Sequence, residues 1–578
     1  MRAVRTLLID WDRLGFPGRL ENWRRRPVAE RIWDGLSLAL LIVVVGLVIA
    51  TFRDYGVTWD ENLNNWYGKL ALDYYLSLFA DQRALHFQDL INYGAVFDMA
   101  AAALNRFSPL GVYETRHLLN ALVGVLGLFG TWKLGRALGG PRAGFAAALL
   151  LALTPIYYGQ MFNNPKDIPF AVGGIWTLYY LVRIVPTLPR PPLRLVVKLG
   201  IAAGMAMAVR VGGLLFLCYL GLLLTLSGLW QAAAARRLTV LATAGWQSLV
   251  RVFLPGSALA YALMLVFWPW AQSNPIGHPL AALATFSHQS FPYDTLFDGH
   301  LVPAWNLPWT YLPVYTLIVL PELVLVLLIA APVLAAVALW RDAATRRRET
   351  VLGWFLVGFA IVFPVAYAIA IKAVLFDGMR HFIFVLPPIA VVTGLAADAA
   401  LVWLAGFRLR RPIYGALVLY GAAHVAIMVM LHPNQYVYYN AFVGGVDGAE
   451  RRFKLDYWAN SYAEDVRGLE RVLRAQYGAG FAAHQFTVAV CGPATAAQYY
   501  FPANFHLTYK PKTADFFIAF TKDNCDRSLP GHPVYEVKRM GALLSVVLDR
   551  REILAERARD IRPVAGAVHK PSEAAAVP

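Results

Sequence analysis

The stretch LSLALLIVVVGLVIAT, residues 36–51, is followed four residues later by GVTWDENLNNWYG, residues 56–68. The first stretch is apolar and long enough to cross a bilayer, so Asp60 and Glu61 lie where the chain leaves the membrane. Two adjacent carboxylates at such a boundary are costly to ionise unless nearby groups compensate. They also suit the first turn of a surface helix capped by Thr58, and both interpretations remain open at this point.

Long apolar runs recur through most of the chain. Its 578 residues are 58% hydrophobic and 15% charged, whereas a soluble domain carries about a quarter charged residues. This composition predicts a polytopic α-helical membrane protein with about eleven spans. The predicted spans are 36–52, 117–135, 143–158, 169–185, 195–209, 212–229, 252–270, 313–340, 351–370, 382–404 and 413–431.

The basic residues predict an orientation for these spans. Arginines occupy the loops after the second, fourth, sixth, eighth and tenth spans, and the stretch 252–340 contains no Lys or Arg. Because cytoplasmic loops are enriched in Lys and Arg, we expect the amino terminus inside the cytoplasmic (inner) membrane and the carboxyl terminus outside, in the periplasm. The same bias explains the net charge of +16, and no stripe of basic and aromatic residues indicates nucleic-acid binding.

We predict four regions along the chain. They are an amphipathic cytoplasmic segment, a transmembrane domain with two large outer loops, a small extracytoplasmic α/β domain and a disordered tail: 1–34, 35–431 with loops 53–116 and 271–312, 432–560, and 561–578. The long loop 271–312 is typical of a lid or substrate-binding loop. Cys491 and Cys525 both fall in the α/β domain and can pair if that domain is outside the cytoplasm.

A second acidic residue, Asp167, lies in GQMFNNPKDIPFAVGG, residues 159–174, on the outer turn between the third and fourth spans. The two prolines restrict this turn and hold Lys166 and Asp167 near the membrane surface. A helix cap at the start of the fourth span is the alternative interpretation of Asp167.

Isolated basic residues also occur at other outer turns. Arg210 follows the fifth span, and Lys372, Arg380 and His381 lie in AIKAVLFDGMRHFIFVLPP, residues 370–388. Snorkelling anchors are one explanation. The other is a site for an anion, because charges at this depth are costly unless they are paired or bind one.

These residues together suit one chemistry. Cations at the outer leaflet can bind a lipid phosphate and stabilise the charge that develops as it leaves a sugar. A carboxylate opposite can act as general base on an incoming hydroxyl or amine. The set therefore favours displacement at the anomeric carbon of a sugar carried by a polyprenyl phosphate.

Three motifs, in order, resemble the GT-C superfamily of membrane glycosyltransferases near glycosyltransferase family 39. That family includes the protein O-mannosyltransferases and the bacterial aminoarabinose transferase of lipid A. The motifs are WDE at 59–61, NNPKDIPFA at 163–171 and GMRHFIFVLPP at 378–388; YYNAFVGG at 438–445 and LDYWANSY at 455–462 resemble segments of bacterial members. The resemblance covers residues 36–431, and the C-terminal domain departs from it because it is not a β-trefoil.

The resemblance implies an inverting hexosyl- or pentosyltransferase. Its donor is a polyprenyl-phosphate sugar and its acceptor a lipid, glycan or protein at the outer membrane face. Asp60 would be the main catalytic carboxylate, with Glu61 beside it and Asp167 as the second acidic residue. The donor phosphate would be bound by Lys166, Arg210, Lys372, Arg380 and His381. No cofactor is implied, and no dense carboxylate cluster indicates a divalent metal.

Two other functions remain as alternatives. A transporter or flippase of lipid-linked sugars predicts charged or broken helices at mid-membrane, whereas the charges here cluster at the outer ends of the spans. A scaffold that presents the C-terminal domain gives Asp60, Asp167 and Arg380 no reason to converge.

Overall fold

The computed structural model describes residues 27–288 and 293–560. The described chain forms two compact units: a larger one that runs up to Tyr55 and continues over Asp60–Leu455, and a smaller one of Gly56–Trp59 and the chain from Asp456 onward. Most of the predicted N-terminal amphipathic segment and the whole predicted tail, 561–578, lie outside the described residues.

The larger unit is almost entirely helical. One short antiparallel hairpin interrupts it, formed by β1 (Asp294–Phe297) and β2 (His300–Pro303). Its helices are α1 Val28–Thr51, α2 Glu61–Leu76, α3 Val96–Asn105, α4 Val112–Ala152, α5 Pro155–Asn163, α6 Asp167–Ile184, α7 Leu193–Met207, α8 Leu214–Ala235, α9 Leu238–Ser248, α10 Leu254–Val266, α11 Pro269–Ser273, α12 Gly277–His288, α13 Tyr311–Val319, α14 Glu322–Arg341, α15 Arg348–Ala370, α16 Leu386–Leu404, α17 Arg410–Met430 and α18 Gly445–Ala449.

Nine helical segments of the described chain are long and apolar enough to cross a membrane, which confirms the predicted polytopic helical fold. They are Val28–Thr51, Val112–Ala152, Asp167–Thr187, Val211–Ala235, Leu238–Val266, Glu322–Arg341, Arg348–Ala370, Arg380–Leu404 and Arg410–Met430. The predicted span 195–209 corresponds to α7, which at 15 residues is shorter than these segments. The predicted span 313–340 is divided into α13 and α14 by extended backbone at Leu320 and Pro321.

The long helix α4 is a hairpin of two arms. As a single rod its 41 residues would extend about 60 Å, roughly twice the hydrocarbon thickness of a bilayer. The chain turns at Gly140, whose φ of +87° strains any residue with a side chain, and Pro141 follows. A Cβ added to Gly135 would lie 3.1 Å from Ala147, so the arms pack closely. The predicted span 117–135 therefore lies in the first arm, and the predicted span 143–158 covers most of the second arm and the beginning of α5.

This hairpin occupies the centre of the larger unit. Its arms pack against α1, α6 and α16, and α6 packs in turn against α7. The buried core between them is aliphatic and includes Leu134, Ile175, Leu181 and Val391. Because no water reaches such a core, helices whose backbone groups are satisfied internally are the structure expected there.

The smaller unit contains the predicted α/β arrangement. Its strands are β3 Phe486–Val490, β4 Phe505–Leu507, β5 Phe516–Phe520, β6 His532–Arg539 and β7 Ala542–Asp549, and its helices are α19 Tyr462–Tyr477, α20 Ala494–Gln498 and α21 Arg551–Asp560. The sheet order is β4-β3-β5-β7-β6, with β3 parallel to β4 and β5 and the other pairs antiparallel. A disulfide joins Cys491 to Cys525.

A short stretch from the beginning of the chain belongs to this smaller unit. The N–H of Gly56 donates to the Asn460 side-chain oxygen at 2.7 Å, and the N–H of Trp59 donates to the Trp458 carbonyl at 3.1 Å. The Trp59 ring lies 6.2 Å from the ring of Phe520. Residues 56–59 are thus held by backbone and ring contacts before the chain returns to the larger unit at Asp60.

Candidate functional site

Asp60 is the residue that immediately precedes α2. Its side chain is 42% exposed, and its Oδ2 accepts a hydrogen bond from Arg380 Nη2 at 3.1 Å. The N-terminus of a helix favours a negative charge because its first N–H groups have no partners within the helix. Asp60 therefore lies at a helix end and beside an arginine, while part of its carboxylate remains accessible.

Arg380 links Asp60 to a second acidic residue, Asp377. The guanidinium lies over the Phe376 ring at 5.0 Å, and its Nη1 is 3.4 Å from Asp377 Oδ2. The other Asp377 oxygen accepts a hydrogen bond from Lys454 Nζ at 3.2 Å. Acidic and basic groups thus alternate along the cluster, which offsets the cost of burying Asp377 and Lys454.

Asp167 is buried, and both of its carboxylate oxygens are engaged. Oδ1 lies 2.6 Å from Arg210 Nη2, and Oδ2 accepts a hydrogen bond from the Asn164 amide at 2.9 Å. The N–H of Asp167 donates to Asn164 Oδ1 at 2.9 Å. Asn164 and Asp167 therefore bond to each other in both directions at the start of α6, and Asp167 fixes the position of Arg210.

Lys166 is held by an aromatic ring. Its Nζ lies 3.7 Å from the centroid of the Tyr93 ring, and within the described residues no carboxylate forms an ion pair with it. Burial lowers the pKa of Lys166 to about 8, although Asp98 and Asp60 act in the opposite direction. Of the cations in this cluster, Lys166 is the one not bound to a carboxylate in the described structure.

Tyr93 contacts two of these cations. The Arg210 guanidinium lies 5.5 Å from the centroid of the same ring. Burial raises the pKa of Tyr93, and its charged neighbours include Arg210, Arg380, Asp167 and Asp60. Tyr93 therefore lies among the acidic and basic residues of the site.

Two fully buried pairs lie beside this cluster. His117 Nε2 is 3.0 Å from Glu61 Oε1, and both side chains are 1% exposed. Arg116, the preceding residue on α4, is 2.5 Å from Asp98. A buried pair is costly to break because the remaining charge has no partner. Both pairs attach the chain that carries Asp60 and Tyr93 to the first arm of α4.

The structure brings together most of the residues predicted from the sequence. Asp60 bonds directly to Arg380 and Asp167 to Arg210, while Lys166 and Arg210 contact the same ring of Tyr93. His381 has Arg380, Arg210 and Asp377 as charged neighbours.

Two predicted residues are placed differently. Glu61 is buried against His117, and Lys372 is exposed, with no described contact to the cluster.

Sequence reasoning missed Tyr93, Asp377 and Lys454. Asp377 directly precedes the motif at 378–388, and Lys454 directly precedes the motif at 455–462. A search for charged residues flanking those motifs could have found both. Tyr93 is one of 28 tyrosines, and nothing in its immediate sequence distinguishes it.

No metal-binding geometry is present in residues 27–288 and 293–560. Within them, no group of three or more His, Cys, Asp or Glu side chains is placed to hold a metal ion. The acidic residues of the cluster each face a basic residue instead.

A family described as dolichyl-phosphate-mannose-protein mannosyltransferase matches residues 113–270. This stretch includes Lys166, Asp167 and Arg210 and leaves out Asp60 and Arg380. The match confirms, over this part of the chain, the resemblance to GT-C membrane glycosyltransferases. The helical fold and the match characterise the chain as a multi-pass membrane protein that resembles this class. A comparison with curated protein sequences found no match.

Solved structures similar to the chain include ArnT from Cupriavidus metallidurans bound to undecaprenyl phosphate. That similarity has 14% identity and a TM-score of 0.46, and covers 89% of this chain and 98% of ArnT. The oligosaccharyltransferase from Archaeoglobus fulgidus in the apo form has 12% identity and a TM-score of 0.41, with 80% of this chain and 63% of that chain covered.

Proposed function

We propose that this protein is an inverting glycosyltransferase that moves a sugar from a polyprenyl phosphate to an acceptor at the outer face of the cytoplasmic membrane. The observation that carries the proposal is the contrast between Asp60 and its acidic neighbours. Asp60 is 42% exposed next to Arg380, whereas Asp167 and Asp377 are each 4% exposed and fully engaged. The description of the matching family names a sugar carried by dolichyl phosphate, which is consistent with this chemistry.

In the proposed reaction, Asp60 accepts a proton from the acceptor hydroxyl or amine. The acceptor atom forms a bond to the anomeric carbon from the side opposite the phosphate. The bond between that carbon and the phosphate oxygen breaks, and the polyprenyl phosphate leaves with the electron pair. One displacement of this kind inverts the anomeric configuration.

The cations have a matching role in this reaction. Negative charge builds up on the phosphate oxygens as the bond breaks, and fixed cations stabilise it most in a water-poor site. Lys166 carries an ammonium that no carboxylate pairs in the described structure, and the guanidinium groups of Arg210 and Arg380 lie in the same cluster, bonded to Asp167 and Asp60. Three side-chain cations supply the charge that the leaving group requires, so the proposal assigns no role to a metal ion.

Two features support the outer face as the location. Arginines are concentrated in the loops on the side opposite the motifs at 59–61, 163–171 and 378–388. The disulfide between Cys491 and Cys525 is of a kind that persists in an oxidising compartment. Sugar nucleotides are not expected there, which leaves a lipid-linked donor.

The test is an isosteric change at the proposed base. Asp60→Asn keeps the shape of the side chain but removes the proton acceptor, so we expect transfer to fall about a hundredfold or more. The variant is expressed in a strain that lacks the native protein, and its lipid-linked sugars and envelope glycans are measured by mass spectrometry. Loss of one glycosylated product together with accumulation of its donor supports the proposal.

Asp89→Asn is the matched control. Asp89 is another carboxylate of the same outer segment and forms no ion pair in the described structure. An unchanged glycan profile for Asp60→Asn, at normal protein levels, would rule out Asp60 as the base. A second experiment tests the transporter alternative. Purified protein is mixed in detergent with the lipid extract of the deletion strain. A transferase forms a glycosylated product there, whereas a transporter does not change its substrate chemically.

A further inference from the structure

Tyr93 makes a close contact with the one cation of the cluster that no described carboxylate pairs. The 3.7 Å between Lys166 Nζ and the ring centroid is well inside the range of a cation–π interaction. The Arg210 guanidinium uses the same ring at 5.5 Å. One aromatic ring therefore sets the spacing of two cations that have no bond to each other.

The backbone around Tyr93 is fixed on several sides. Tyr93 and Arg210 pair through an isolated antiparallel β-bridge, and the Tyr67 hydroxyl donates to the Tyr93 carbonyl at 3.0 Å. The next residue, Gly94, lies so close to Ala208 that an added Cβ would be 1.9 Å from its carbonyl oxygen. The Phe286 ring meets the Tyr93 ring edge-on at 5.0 Å. The ring thus has little freedom to turn away from Lys166.

Charge explains why such a ring is needed. Protein covers most of the Lys166 side chain, which disfavours its ammonium form. The charged groups that face it are two acids, Asp98 and Asp60, and two cations, Arg210 and Arg380. Asp98 is already bonded to Arg116, and Asp60 to Arg380. The electron-rich face of Tyr93 then stabilises the ammonium without neutralising it, and so leaves its charge for an anion.

We propose that Tyr93 is a positioning residue of the transfer site. Its ring holds Lys166 and Arg210 in the positions from which both cations bind the donor phosphate. This inference rests on the proposed function, since it names the group that organises phosphate binding there. The hydroxyl of Tyr93 has no part in the proposal. An aromatic residue in place of Tyr93 should therefore preserve phosphate binding, and an aliphatic residue of similar size should weaken it.

The experiment measures equilibrium binding of undecaprenyl phosphate, without any sugar, to the purified full-length protein in detergent. We expect Tyr93→Phe to bind within about twofold of the parent, and Tyr93→Leu to bind about tenfold or more weakly, as for loss of a desolvated cation–π contact. Tyr509→Leu is the control, because Tyr509 is 83% exposed. In a double-mutant cycle, Lys166→Ala should weaken binding less in Tyr93→Leu than in the parent, because part of the effect of the ring acts through Lys166.

The pH dependence of binding separates positioning from general stability. Without the ring, the Lys166 ammonium loses a stabilising contact, so the pKa of Lys166 falls further. As the pH is raised, binding should therefore begin to weaken at a lower pH in Tyr93→Leu than in the parent. Tyr93→Phe should keep the profile of the parent. A folded protein that is merely less stable would show no such displacement.

The outcomes are distinct. Parent-like binding by a folded Tyr93→Leu overturns the role of Tyr93 and leaves the proposed function standing. Absence of binding by the parent overturns both. If Tyr93→Leu and Tyr93→Met both fail to fold while Tyr93→Phe folds, Tyr93 serves stability alone and the positioning role is overturned.

Discussion

Asp60 and Glu61 are neighbours in the chain but have opposite environments. Asp60 precedes the first turn of α2 and is partly accessible, while Glu61 begins that turn and is buried against His117. The N-cap position of α2 is Asp60 and not Thr58, and the Asp60 side chain makes no capping hydrogen bond. One position of shift on a helix turns a side chain by about 100°, which is enough to send two adjacent acids to different partners. Glu61 therefore attaches the segment to α4, and Asp60 bonds to Arg380 with part of its carboxylate accessible.

At Lys166 the structure predicts a pH dependence. Its pKa of about 8 means that the ammonium is charged below that pH and is lost as the pH rises through it. A sugar phosphodiester keeps one negative charge over the same pH range. The loss of activity at alkaline pH is therefore due to deprotonation of the lysine. We expect kcat/KM for the donor to fall above about pH 8, since this ratio reports the free enzyme.

Lys166→Arg tests this assignment, because an arginine stays protonated over the whole range. The alkaline limb should disappear in this variant even if the maximal rate is lower. Lys198→Arg, at an exposed position on α7, serves as the control and should retain it. If the decline in kcat/KM at alkaline pH persists unchanged in Lys166→Arg, it is due to another group.

At the scale of secondary-structure elements, the approach of the chain at Gly94 to the loop after α7 decides the geometry of the site. An added Cβ would lie 1.9 Å from the Ala208 carbonyl oxygen, on the backbone that leads to Arg210. We expect Gly94→Ala to force these segments apart at a cost of about 1–3 kcal/mol. Thermal unfolding and transfer activity should both decrease.

Gly46→Ala is the matched control, because a Cβ added at this position on α1 would have no atom within 4 Å. It should be neutral or slightly stabilising, as alanine favours a helix. Wild-type unfolding and activity for Gly94→Ala would show that the two segments can separate without consequence.

Hydropathy predicted the helices well and their breaks poorly. The apolar runs around 36–52 and 413–431 correspond closely to α1 and α17, since nothing but length and composition was needed there. The runs on either side of Gly140 became one hairpin, and Pro321 divided another run in two. Hydropathy averages over a window, so it does not detect a change in direction made by one residue with positive φ or by one proline.

At the scale of the whole molecule, the sequence indicated which charges lie together but not how they pair. A charge at membrane depth needs compensation, and this criterion predicts a site that contains Asp60, Lys166, Asp167, Arg210 and Arg380. Their pairing could not be read from spacing, because Asp60 and Arg380 are 320 positions apart. Lys372 satisfied the same criterion, yet it is exposed, since the criterion gives depth and not direction.

The disulfide gives a test of orientation for the whole chain. The protein has three cysteines, of which Cys491 and Cys525 are bonded and Cys218 is free. If the C-terminal unit is in the periplasm, protein denatured without reductant and treated with a maleimide polymer should gain one adduct. After reduction it should gain three.

Electrophoretic shifts count these adducts directly, and Cys218→Ser should remove the single adduct seen without reductant. Three adducts in unreduced protein would place the smaller unit in a reducing compartment and contradict the proposed orientation.

The passage of Gly56–Trp59 through the smaller unit limits how this protein can be recombined. Partners for these four residues, among them Asn460 and Trp458, are encoded some four hundred codons downstream. A single crossover at Leu455 would combine residues 56–59 of one parent with the contacting residues of another parent. Chimeras therefore need two exchanges, because residues 60–455 lie between the two segments that must match each other.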